Sequence, residues 1–185
     1  MAEPLPPLAE EHHVCPGCDM SYATTAIPEA LAALEQIPGQ VRAAAAAVPE
    51  AVRRTRPEPH TWCVVEYACH LRDVYATYTI RLHRTRTELR PSLEPMLNDL
   101  RARRFRYARR DLDAVLDELA DNVHGFRDEI SRTADAEWDR VATRLPHEVR
   151  SARWLVRQAL HEGRHHIRDI TAVGRAAVGS QTSDV

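Results

Sequence analysis

Apolar residues recur at spacings of three and four along most of the chain, the period of a helix with one buried face. Val64, Tyr67, Leu71, Val74, Tyr78 and Leu82 form one such stripe, and Leu112, Val115, Leu116, Leu119, Val123, Phe126 and Ile130 form another. Val156, Leu160, Ile167 and Ile170 mark a third. An Ala/Leu-rich run from Pro28 to Val52 adds a helix ahead of these, with Pro28 suited to its first turn and Pro38-Gly39 able to kink or split it. In chain order this gives four amphipathic helices, the second, third and fourth preceded by Thr61, Asp111 and Ser151 as capping residues. No stretch alternates convincingly as a strand, and Arg144 to Arg150 reads as a loop. The expected fold class is therefore all-α, a four-helix bundle. Residues 88–110, with Pro91, Pro95 and a weakly helical middle, make a long connection that allows the second and third helices to run parallel. Residues 1–26 are Pro-rich and acidic and lack an apolar period, so they are expected to be a flexible tail carrying a C-x-x-C, with the bundle over 27–185.

Composition narrows the class further. A length of 185 residues, 44% of them hydrophobic and 28% charged, suits one globular core. Only 6 glycines and 5% aromatics argue against a β-sandwich or a dinucleotide-binding α/β fold. A formal charge of -2 supplies no field for nucleic acid or an anionic membrane. All 25 basic residues are arginine, which removes lysine nucleophiles and Schiff bases. MAEPLPPLAEEHHVCPGC has neither the basic region nor the apolar run of a signal peptide, and no apolar run approaches the ~18 residues of a membrane span. The expected location is cytoplasmic, where Cys15, Cys18, Cys63 and Cys69 are thiols or metal ligands rather than structural disulfides.

The candidate chemistry lies in ALHEGRHHIRDI. His161 and His165 are four residues apart, so in a helix both imidazoles project to one side, roughly opposite the apolar stripe. His70, at the edge of the second helix's stripe beside Glu66, Asp73 and Thr77, can turn into the same crevice. Three neutral imidazoles would leave open positions on a divalent ion, zinc by default; the plain alternative is a solvated polar face. Glu162 or Asp73 could orient a ligand, and His166, about 100° from His165, is placed at the surface or behind the ligands. HEGRH also satisfies the zinc-protease pattern H-E-x-x-H with Glu162 as general base. Downstream of His166 there is no Glu, and Arg168 and Thr171 stand where a second protease class needs Gly and His. A third ligand must come from upstream, which disfavours a zinc hydrolase of that kind.

Outside this segment, HHVCPGC offers His12, His13, Cys15 and Cys18, half of a zinc knuckle whose second C-x-x-C is missing; a free thiol pair or a redox disulfide is the alternative. The arginines between Arg101 and Arg110 could clamp a carboxylate or phosphate, or simply be solvated. Cys69 points about 100° from His70 and reads as a core thiol. Trp62 and Trp154 could wall a metal pocket or pack the core.

PEPHTWCVVEYACHLRDVY, followed far downstream by SARWLVRQALHEGRHHIRDI, resembles the DinB/YfiT-like superfamily, including the actinobacterial branch related to mycothiol-dependent maleylpyruvate isomerases. The resemblance spans roughly residues 27–172 and rests on the Trp-then-His of the second helix and the H-x-x-x-H of the fourth. It implies an up-down-down-up bundle and one divalent metal held by three side chains, carried over by position to His70, His161 and His165. The isomerase branch has a Glu at the position matched here to His161. The implied activity is that of a metal-dependent thiol S-transferase or isomerase: a low-molecular-weight thiol such as mycothiol, activated on the metal, attacks a small electrophile. A non-catalytic metal- or small-molecule-binding protein of stress or resistance is the reading from another class. Neither nucleic acid nor membrane is an expected partner, and a homodimer is compatible with the sequence.

Overall fold

The structure is a computed structural model that describes residues 5–145 and 147–181. Among these are five α-helices: α1 (Ile27–Ala46), α2 (Val64–Thr87), α3 (Asn98–Arg104), α4 (Leu112–Ser131) and α5 (Ala152–Gln181). The long ones, α1, α2, α4 and α5, form a four-helix bundle, and α3 is a short helix inside the long connection.

The directions of the helices follow from which residues meet. Arg72 bonds Glu118 and His83 meets Glu129, so α2 and α4 run parallel. Ile37 abuts Gly163 and Val48 abuts Gly174, so α1 and α5 are parallel too. Arg42 pairs with Asp117 while Arg127 pairs with Glu35, which makes α1 and α4 antiparallel. His70 meets Glu162 and Tyr75 reaches the Ala159 carbonyl, which does the same for α2 and α5. The topology is up-down-down-up, and the connection through α3 is what allows α2 and α4 to point the same way. Leu34, Leu71, Tyr75, Leu82, Leu119, Phe126, Leu155 and Leu160 are wholly buried at the centre.

The local chemistry explains most element ends. Asp111 caps α4 by accepting from the Ala114 amide at 2.9 Å, and Ser151 Oγ accepts from the Trp154 amide at 3.1 Å. Thr61 does not cap α2. The helix starts at Val64, and the Glu66 carboxylate instead accepts from the Cys63 amide at 3.0 Å while Arg56 neutralises it. Pro38 lies inside an unbroken α1, where it neither ends nor splits the helix.

Two further expectations change. Arg144 and residues 148–150, read as part of a loop, lie in strands, β1 (Val141–Arg144) pairing antiparallel with β2 (Glu148–Ser151) in the register Val141↔Ser151 to Arg144↔Glu148. The strands are four residues each, too short and too polar to stand out by alternation. Residues 5–26, read as a flexible tail, are seated on the bundle. The Leu8 amide donates to Glu148 at 2.7 Å, Arg150 donates to the Ala9 carbonyl at 2.7 Å, and Cys15, Met20 and Tyr22 are buried. Among the described residues no helix is long and apolar enough to cross a membrane.

Candidate metal centre

At about 100° per residue, α5 divides into three faces. Gly163 abuts Ile37 of α1 and Tyr75 of α2. Ala159, Glu162 and His166 meet Tyr75 and His70 of α2, and Gln158, His161 and His165 meet Tyr22, His13 and Cys15 of the N-terminal segment. Four ligand-type positions, 161, 162, 165 and 166, are thus split between two sites.

On the α2 side, His70 Nε2 lies 3.1 Å and His166 Nε2 3.3 Å from the same Glu162 oxygen, Oε2. One ligand atom from each of the three residues falls within 4.8 Å of the others. The other ends of these side chains are held. Asp169 Oδ2 accepts from His166 Nδ1 at 2.7 Å. Gln158 Nε2 donates to Glu162 Oε1 at 2.6 Å, and Tyr22 donates its hydroxyl to Gln158 Oε1 at 2.6 Å. Trp62 packs on His70 with ring centroids 5.0 Å apart, and Tyr67 packs on His166 at 5.2 Å. Such an outer layer fixes ring orientation and tautomer before an ion arrives.

The electrostatics fit a cation between the three. Burial holds His70 below the ordinary imidazole value. Burial also opposes charge on His166, yet hydrogen bonds to Asp169 and Glu162 push it up to about 9. Glu162 is held well below the carboxylate range: burial works against its charge, but the bonds from His166 and His70 outweigh it. A carboxylate kept ionised in a buried spot by two imidazoles is a place where a divalent ion can take over the positive role of the His166 proton.

The site opens on a cleft of about 570 Å³ lined by His70, Tyr78, Arg81, Arg144, Gln158 and Glu162. Arg81 is buried and forms no ion pair among the described residues; it donates to the Glu94 carbonyl and lies 4.9 Å over the Tyr78 ring. Arg144 is already matched by Glu148 at 2.7 Å.

The residues expected at one metal are therefore regrouped. His70 is in the triad. His161 and His165 face away from it and lie with Cys15 and Cys18 instead. Glu162, expected as a general base or orienting group, offers a ligand atom, and His166, placed at the surface from the sequence, offers another. Both pairs have i, i+4 spacing and differ only by a one-residue register, which spacing alone does not settle. The signal available was that Glu162 and His166 share the direction of Leu155 and Ala159, which are buried. Asp73 is not at the site either: it accepts from Arg72 at 2.9 Å, from Arg101 at 2.6 Å and from the Tyr107 hydroxyl. HEGRH does not form a protease centre, because its two histidines lie with Cys15 and Cys18 while its Glu lies with His70 and His166.

Of the remaining candidates, Trp62 walls the site while Trp154 is wholly buried. Cys69 is a core thiol that burial pushes up to about 12, and burial pushes Cys63 up to about 11, so neither is a ready nucleophile. Arg101 is absorbed by Asp73, and Arg103 lines the cleft.

The DinB superfamily profile matches residues 33–170. Among solved structures, YfiT from Bacillus subtilis, described as a probable metal-dependent hydrolase with an unusual four-helix bundle topology, matches at a TM-score of 0.73 and 19% identity, covering 80% of this chain and 86% of that one. None of the curated proteins matches the chain.

Proposed function

This chain belongs to the DinB superfamily, and from that premise we propose that it is a metal-dependent enzyme whose divalent ion, zinc by default, is held by His70, Glu162 and His166 and activates a small thiol for attack on a small electrophile. The observation that carries the reading is the grouping of these three ligand atoms within 4.8 Å of one another, two of the residues, His70 and Glu162, lining a cleft of about 570 Å³. Two imidazoles and one carboxylate leave positions open to a ligand from the cleft, as catalytic rather than structural sites do. When bound, the metal would lower the pKa of a thiol and favour its thiolate.

The chain's own groups do the rest. Asp169 keeps the His166 proton on Nδ1 and leaves Nε2 for the site, and Gln158 keeps Glu162 Oε1 occupied while Oε2 stays with His70 and His166. Arg81, a buried cation without an acidic partner among the described residues, suits a carboxylate or similar anion on the thiol or the electrophile. Trp62 and Tyr67 exclude water from the back of the imidazoles. None of the four cysteines is in a disulfide, which fits a reducing, cytoplasmic setting.

Hydrolysis is the second reading, because the same open positions would accept water and a solved structure of the same fold is described as that of a probable metal-dependent hydrolase. The test loads purified protein with zinc and follows both thiol loss and hydrolytic product across a panel of electrophiles, with and without a low-molecular-weight thiol. Turnover that needs the thiol and disappears in His70→Ala and His166→Ala supports the proposal. Thiol-independent turnover lost in the same variants favours a hydrolase, and stoichiometric binding without turnover favours a binding protein.

A further inference from the structure

The N-terminal segment builds a second cluster that the triad does not use. Residues 13–22 close a tight hairpin: the Cys15 amide donates to the Met20 carbonyl at 3.0 Å, the Asp19 amide to the Cys15 carbonyl at 2.7 Å, and the Tyr22 amide to the His13 carbonyl at 2.9 Å. Asp19 takes a positive φ of 59° to make the turn. The result presents Cys15 and Cys18 side by side toward the face of α5 that carries His161 and His165. One ligand atom from each of the four lies within 4.8 Å of the others.

Three details point to an ion. First, both ring nitrogens of His161 are buried with no hydrogen-bond partner. An imidazole always presents at least one N–H, and in the neutral form one lone pair, so leaving both unmet is the kind of exception that calls for a ligand. Its neighbours are the rings of His13, Tyr22 and His165, which offer stacking but no partner for either nitrogen. Second, Cys15 Sγ lies 3.5 Å from His165 Nδ1. A zinc tetrahedron with Zn–S of ~2.3 Å and Zn–N of ~2.0–2.1 Å has an S-to-N edge of about 3.5 Å. Third, the glycine between the cysteines is where another residue would intrude: a Cβ on Gly17 would stand 2.7 Å from His165 Cε1.

We infer that Cys15, Cys18, His161 and His165 form a closed, structural zinc site that fastens the N-terminal segment to α5. Two thiolates and two neutral imidazoles fill a tetrahedron with no position left for substrate, and the two negative charges match the dication. The knuckle that the sequence leaves half-finished is thereby completed from the far end of the chain. The site also holds Tyr22, four residues beyond Cys18, which reaches Glu162 through Gln158. The zinc is thus a positioning element for the neighbouring centre and does not belong to it.

The test uses the full chain, reduced, stripped by chelator and titrated with cobalt(II), because a thiolate-cobalt pair gives an intense near-ultraviolet charge-transfer band that the nitrogen and oxygen ligands of the triad cannot give. The double variant His70→Ala/His166→Ala should show the band saturating at one equivalent, with tetrahedral visible transitions, and wild type should reach the same band intensity at full cobalt loading. Cys15→Ser/Cys18→Ser should lack it. In the His70→Ala/His166→Ala protein one equivalent of zinc should raise the Tm by at least about 5 °C. No band on reduced wild-type protein, a band that survives Cys15→Ser/Cys18→Ser, or a Cys15–Cys18 disulfide in protein isolated anaerobically would each overturn the inference. The wild-type spectrum decides even if the cysteine variant fails to fold, and the triad variant keeps this outcome apart from that of the proposed function.

Discussion

Tyr22 and Gln158 stand 136 residues apart in sequence and are joined by a 2.6 Å hydrogen bond in which the phenol donates to the amide oxygen, both side chains buried. Because the same amide donates to Glu162 at 2.6 Å, the N-terminal segment reaches the triad through two bonds. Tyr22→Phe keeps the ring and removes the donor, leaving the Gln158 oxygen unmet. The expected cost is about 1–3 kcal/mol, read as a fall in Tm of roughly 3–10 °C. Metal affinity at the triad should drop by less than the ~10–100-fold seen for direct partners of ligands, since Tyr22 is one bond further out. An unchanged Tm in a thermal melt would show that the bond carries no stability.

Asp73 stabilises the α2–α3 contact, not the metal. Burial disfavours its charge, but the Tyr107 hydroxyl, Arg101 and Arg72 together hold its carboxyl below the usual range. A carboxyl depressed in the folded state stabilises the protein above its unfolded value of ~3.9, and that stability is lost as pH falls through the folded value. Asp73→Asn should therefore cost about 2–3 kcal/mol at pH 7, less than a wholly buried pair because Arg101 keeps solvent contact. The gap between variant and wild type should narrow below pH 4. Denaturant melts at pH 7 and pH 3 check both statements, and turnover by Asp73→Asn should stay near wild type.

Gly163 lets α5 approach α1 and α2 closely. A Cβ there would collide with the Tyr75 hydroxyl and stand 3.0 Å from Ile37 Cδ1, and both of those side chains are wholly buried. Gly163→Ala gains about 1 kcal/mol in helix propensity and is set against overpacking of about 1–3 kcal/mol, for a net loss. At Gly125 an added Cβ would meet nothing within 4 Å, so the response should have the opposite sense, Gly125→Ala gaining about 0.5–1 kcal/mol. Comparing the two denaturation midpoints tests the close approach against propensity alone.

The bundle was readable because α2 and α4 each carry a stripe that a single period describes, and Asp111 caps α4 where the stripe begins. The β1–β2 pair was not, since its residues are polar and its order comes from contacts far away, such as the Leu93 amide on the Thr143 carbonyl at 2.7 Å. Nor was the seating of residues 5–26, where backbone carbonyls meet Arg144 and Arg150. At the site, the sequence brought forward ALHEGRHHIRDI and His70, and the structure groups His70 with Glu162 and His166, and His161 and His165 with Cys15 and Cys18. HEGRHH contains two interchangeable i, i+4 pairs, so spacing alone does not say which of them meets His70. Which pair turns to α2 depends on how α5 rotates in the bundle, and that is fixed by Gly163 against Ile37 and by Ala159 against Tyr75.

Asp169 touches both clusters, and its substitution separates them. Its Oδ2 accepts from His166 Nδ1 at 2.7 Å but lies 3.8 Å from His165 Nε2, beyond hydrogen-bond reach. The carboxylate therefore fixes the tautomer of the triad's imidazole and only adds a weak field at the other. In Asp169→Asn the amide could still accept from Nδ1, but without charge, so the imidazole becomes a poorer ligand. Metal affinity at the triad should fall about 10–100-fold, while the thiolate-cobalt band of the Cys15–His165 cluster should keep its full intensity. Competition with a chromophoric chelator measures the first, and the near-ultraviolet spectrum measures the second in the same titration. Equal weakening of both would mean that Asp169 acts through the position of α5 rather than through the His166 bond.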